Sequence, residues 1–184
     1  MNQEIVTAVK ADPIFYKRQS PRNFTDQEVS EETLMKLFEA ARWAPSSYNE
    51  QPWRFIYARK NNEATDKQYQ KLFSCLTDQN QQWPKDSPIL ILTIAKRDFS
   101  ETGESNRHAW HDVGLAMGNF CIQATKMSLI VHQMAGFSPK RAKEIFNLPD
   151  GLEPVAMVAV GYPADKKTDR ERKPLEELFL KPAG

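Results

Sequence analysis

Histidine and cysteine are scarce in this chain, three and two among 184 residues. Two cysteines, Cys75 and Cys121, cannot build a disulfide framework or a cysteine metal cluster. His108, His111 and His132 lack a carboxylate-rich ligand set, which removes a metal-hydrolase reading of His111-Asp112. Charge of one sign is missing too. Lys+Arg is 25 against Asp+Glu 24, so no broad basic field exists for nucleic acid. Apolar runs such as residues 88–95 fall short of a membrane span. The opening MNQEIVTAVKAD carries no secretory core, so a reducing, cytoplasmic protein is expected, with both cysteines as buried thiols. Dinucleotide loops (G-x-G-x-x-G), phosphate loops (G-x-x-x-x-G-K-S/T) and nucleophile elbows (G-x-S-x-G) are absent as well. No nucleophile–base arrangement stands out, which favours an enzyme whose cofactor carries the reaction.

What is present is a patterned single domain, residues 1–184, in which 165–184 reads as a charged C-terminal arm without a core of its own. Helices are expected over about 3–10, from Ser30 to before Pro45, and over about 64–76, 106–127 and 139–146. Ser30 caps the second of these, Glu31 and Glu32 favour its positive end, and Val29 can staple against Leu34. Strands are expected at 54–59, 89–95, 129–131 and 155–162. The continuous apolar character of 89–95 suits burial on both faces. The fold class is α+β with a central sheet.

Four stretches carry polar or backbone chemistry. KRQSPRNF sets Arg18 and Arg22 around Ser20, a spacing that suits either a solvated loop or a phosphate receptor. Arg170, Arg172 and Lys173 form a second basic group far away in sequence. Were the two to converge, they could hold a dianion. PSSYNEQPW, from Pro45 to Trp53, fits helix-stop chemistry and recognition of a heterocycle edge or ribityl chain equally. Gly114 and Gly118 lie on one helix face, at a helix cost of roughly 1 kcal/mol each that close packing against a helix or flat ligand would offset. Ala135-Gly136 offers little side-chain cover, which suits either a strand-end turn or a planar ligand.

Six motifs in order resemble the FMN-dependent nitroreductase family. They are R-x-S-x-R-x-F (Arg18 to Phe24), P-S-S-x-N-x-Q-P-W, D-x-G-x-A-x-x-N (Asp112 to Asn119), the pair Gly136-Phe137, a strand closed by G-Y-P, and R-K-P-L-E-E from Arg172. The resemblance implies a nitroreductase-like fold, with a central mixed β-sheet flanked by helices, in an intertwined homodimer. It implies FMN at the subunit interface and NADH or NADPH as electron donor. The family's phosphate positions fall on Arg18, Ser20 and Arg172, with Arg170 nearby, while Gln19 and Arg22 match contacts to the ribityl chain or ring. Pro45, Ser46, Ser47 and Asn49 match the segment reaching the flavin from the partner. Gln133, Ala135 and Gly136 match the stretch facing the ring near N5. Ala135 stands where some relatives carry glutamate, and Asn80 or Gln82 stands where some supply a lysine. The implied activity is ping-pong reduction of nitroaromatic, quinone or similar electron-poor acceptors. The alternative is a flavin-binding protein that stores or senses FMN without turnover.

Overall fold

The computed structural model describes residues 10–60, 63–165 and 169–180. The helix expected over 3–10 therefore lies almost wholly outside the described residues. An unexpected short helix, α1 (Pro13–Lys17), starts with proline at its first position. The Asp12 carboxylate accepts the Ile14 N–H at 2.8 Å, so proline's missing donor costs nothing there. In α2 (Glu31–Arg42) the Ser30 hydroxyl accepts the Thr33 N–H at 3.1 Å. Val29, Leu34, Leu37 and Ala41 are buried in one cluster, as the helical period requires.

Four strands follow: β1 (Trp53–Arg59), β2 (Ile89–Lys96), β3 (Ile130–Met134) and β4 (Leu152–Gly161), in the sheet order β1-β2-β4-β3. The intervening helices are α3 (Asp66–Ser74), α4 (Asp78–Gln81), α5 (Ala109–Lys126) and α6 (Pro139–Phe146). All described pairings are antiparallel. This corrects the expected mixed sheet in one respect. A crossover through α5 would pair β2 with β3 in parallel, but β4 lies between them and runs against both. Beside the bulge at Thr93/Ile94, the Thr93 hydroxyl accepts the Ala156 N–H at 3.0 Å and donates to the Ala156 carbonyl at 3.1 Å.

β2 is buried on both faces, and alternate residues feed two cores. Ile89 and Ile91 join Val158, Val160, α2 and α5, whereas Leu90 and Leu92 join Met157, Tyr69, Leu72 and Ala142. Helices therefore cover both sides of the sheet and leave β3 as an edge. Among the described residues no helix is long and apolar enough to cross a membrane.

Candidate functional site

The two basic clusters meet beside α1. Arg18, just past the helix, donates from Nη1 to the Ser20 hydroxyl at 2.8 Å. From the distant tail, Arg170 donates Nη2 to the carbonyl of Phe15 at 2.7 Å. Its Nη1 is buried with no partner among the described residues. Burial first, then the charges of Arg18 and Arg172, pulls the Arg170 guanidinium below its ordinary pKa. Among the described residues no carboxylate forms an ion pair with any of these three arginines. Like charges crowded around an orphaned buried donor suit the binding of an anion.

Arg18 also lines a groove of 690 Å³ with Phe15, Gly114, Gly118, Asn119 and Gln133. A Cβ built on Gly114 or Gly118 would meet nothing within 4 Å. Among the described residues no packing therefore requires either glycine, and this face of α5 is an open floor. At the groove wall, Gln133 Nε2 lies 3.6 Å from Cys121 Sγ. Burial pushes that thiol's pKa up, so it stays protonated and unreactive at neutral pH.

The polar loop between α2 and β1 is strained. Tyr48, Asn49 and Gln51 have φ of 51°, 55° and 52°, which non-glycine residues adopt at a cost. Three ties hold it. The Ser46 hydroxyl accepts the Gln51 N–H at 2.9 Å. Asp112, buried on α5, accepts the Ser47 N–H at 3.0 Å. Glu50 accepts from the Ser100 N–H at 3.0 Å and from Lys96 at 3.1 Å. Burial tends to raise the Glu50 pKa, yet the Ser100 and Lys96 contacts outweigh it and hold the carboxyl low. Pro45, Ser46 and Ser47 line a second groove of 280 Å³ with His111 and Leu115. Asn49 is exposed nearby. Within one chain the basic loop and the polar loop thus line separate grooves, with Leu115 bordering both.

On edge strand β3 and just beyond it, Gln133 and Ala135 are both exposed, two residues apart. Gly136, the next residue, packs against the segment that precedes β2. Its carbonyl accepts from the Thr77 N–H and the Asn80 amide, both at 3.0 Å. A Cβ at Gly136 would lie 2.3 Å from Asn80 Nδ2, so this glycine permits a close approach of Asn80 on that side. Gln82, the other candidate, is exposed. Gln19 is half-buried in the basic loop.

Two residues at this site escape sequence reasoning. The Arg22 guanidinium lies over the Trp83 ring, 5.7 Å from its centroid, and Trp83 packs on His132 with centroids 4.4 Å apart. The available signal is one large aromatic, Trp83, in the otherwise polar stretch DQNQQWPKD.

A model of the nitroreductase family matches residues 16–89 and 64–162. The chain belongs to the nitroreductase family. Among curated relatives, an NADH dehydrogenase of Thermus thermophilus is 27% identical, over 89% of this chain and 92% of its own. An FMN reductase [NAD(P)H] of Bacillus subtilis is 26% identical over 86% of this chain and 68% of its own. A solved oxidoreductase containing FMN superposes with a TM-score of 0.80 at 33% identity, covering 86% of this chain and 79% of that one.

Proposed function

We propose that the protein is a homodimeric FMN-dependent oxidoreductase that takes electrons from NADH or NADPH and passes them to an electron-poor acceptor such as a nitroaromatic or quinone. The observation that carries this reading is Arg170, whose buried Nη1 has no partner among the described residues while Arg18 and Arg172 repel it from nearby. A dianionic phosphate offsets that repulsion and satisfies the orphaned donor.

Arg18, Ser20, Arg170 and Arg172 would hold the phosphate, and Gln19 and Arg22 the ribityl chain or ring edge. Gln133, Ala135 and Gly136 would face the ring, and Pro45, Ser46, Ser47 and Asn49 would reach it from the partner. When bound, FMN supplies the hydride acceptor and electron carrier that the chain's side chains lack. The chain contributes position and charge. Arg22 would add a fixed cation that favours the reduced, more negative form of the flavin. Strain in the 46–51 loop keeps its backbone donors and acceptors in one arrangement before the cofactor arrives. The open α5 floor at Gly114 and Gly118 lets a flat group or a second copy's helix approach closely.

With no dinucleotide motif, donor and acceptor would occupy one place in turn. The purified protein is expected to be yellow, to bleach with NADH or NADPH, and to recover colour with a quinone. Initial rates at several acceptor concentrations are expected to give parallel lines. A bound flavin that NAD(P)H leaves unchanged would overturn the enzymatic reading in favour of storage or sensing. Intersecting lines would overturn the shared place.

A further inference from the structure

We propose that Trp83 and His132 are positioning residues that hold Arg22 at two points, Trp83 at its guanidinium and His132 through the Pro21 carbonyl, so that its charge stays in one place beside the flavin. The inference rests on the FMN reading above. Three observations carry it. His132 Nδ1 lies 3.1 Å from the Pro21 carbonyl, which can only accept, so Nδ1 holds the proton and grips the residue just before Arg22. The Arg22 head lies 5.7 Å from the Trp83 ring centroid, within cation–π range. Trp83 and His132 pack against each other at 4.4 Å between centroids, closing the clamp.

The clamp is in turn held to the rest of the site. Trp83 Nε1 donates to Asn80 Oδ1 at 3.4 Å, and Asn80 Nδ2 donates to the Gly136 carbonyl at 3.0 Å. The basic loop, the segment before β2 and the turn after β3 thereby become one connected platform. An exposed arginine otherwise samples many rotamers, and a charge that wanders has little effect on a flavin's potential. His132 itself is faced by Trp83, by the backbone of Pro21 and Ser20, and by the charges of Arg22 and Arg18. Its ladder partner on β4, Ala159, is uncharged. Burial foremost, with a further push from Arg22 and Arg18, keeps its pKa below the usual histidine value despite the two backbone contacts. The ring therefore stays neutral near pH 7 and adds no third cation to the loop.

Two measurements on the full-length protein test the clamp, and the first needs no flavin. Proton NMR titration of the His132 ring, assigned with His132→Gln, is expected to show a higher pKa in Arg22→Gln, because a repelling cation beside it is gone. An unchanged pKa would overturn the clamp, since Arg22 would then be free in solvent. The second is the midpoint potential of the bound flavin, measured by spectroelectrochemistry. Arg22→Gln and Trp83→Leu are each expected to lower it, the double variant no further than Arg22→Gln alone, and Trp83→Phe to keep the wild-type value. Additive shifts, or a wild-type potential in correctly folded Trp83→Leu, would overturn the positioning role. A chain that takes up no FMN defeats the functional reading instead, and the histidine titration then decides the clamp alone.

Discussion

Ser47 gives its backbone N–H to the Asp112 carboxylate across 3.0 Å, joining the strained loop before β1 to the first turn of α5. His111 Nδ1 approaches the same carboxylate at 3.2 Å. A buried aspartate that accepts a loop N–H fixes backbone geometry where the local sequence alone would leave it loose. Asp112→Ala is expected to lower stability by about 1–2 kcal/mol, the cost of an unmet half-buried donor. Asp112→Asn keeps an acceptor oxygen and should fall between it and wild type. Urea unfolding midpoints check this, and a wild-type midpoint for Asp112→Ala would show the tie to be idle.

The convergence of Arg18 with Arg170 and Arg172 predicts that phosphate affinity and chain stability separate. Arg18→Gln or Arg172→Gln is expected to weaken FMN binding roughly ten- to a hundredfold, the worth of one charge-assisted hydrogen bond. The corresponding glutamate variants should do worse, because they set a repelling charge beside a dianion. Flavin fluorescence titration gives the affinity, and circular dichroism checks that the fold is kept. Full flavin content in both glutamate variants would remove the phosphate assignment.

Gly136 packs against Asn80 too tightly for a methyl group. Gly136→Ala is expected to push the Asn80 amide off the Gly136 carbonyl, losing about 1–2 kcal/mol through that bond and the accompanying shift. In an Asn80→Ala background the same substitution should cost clearly less, because the clashing amide is gone. Equal costs in the two backgrounds, from thermal unfolding, would place the constraint elsewhere.

The open floor at Gly114 and Gly118 and the separation of the two loops predict sites shared between subunits. Arg18→Glu and Ser47→Trp, each first checked to be flavin-poor and dimeric alone, are to be co-refolded. A mixed dimer then carries one site with both defects and one with neither, so flavin binding returns in part. A verified mixed dimer with no recovery would mean that each site is built from one chain.

Much of the fold was legible because its determinants are local. The helix of Glu31–Arg42 needs only its Ser30 cap, its acidic first turn and apolar residues at helical spacing. Strand β2 is legible in its unbroken apolar run, which few other settings in a compact domain tolerate. Element ends were less legible. Strand β3 runs on to Met134 because β4 offers it partners as far as Met157, which no local pattern announces. The short helix Asp78–Gln81 is held by Thr77 and Asn80 contacts to Gly136, more than fifty residues away in sequence.

The sequence by itself determined the polar inventory of the candidate site, since this depends only on which residues exist. It also determined the segments that must be helix or strand, since capping and apolar period act over a few residues. Only the tertiary structure decided that β4 lies between β2 and β3, that Arg170 docks on α1 beside Arg18, and that Trp83 and His132 lie against the loop of Arg22. Those outcomes join segments distant in the chain. Their choice rests on the burial and pairing energies of whole surfaces, which the residues near each position do not carry.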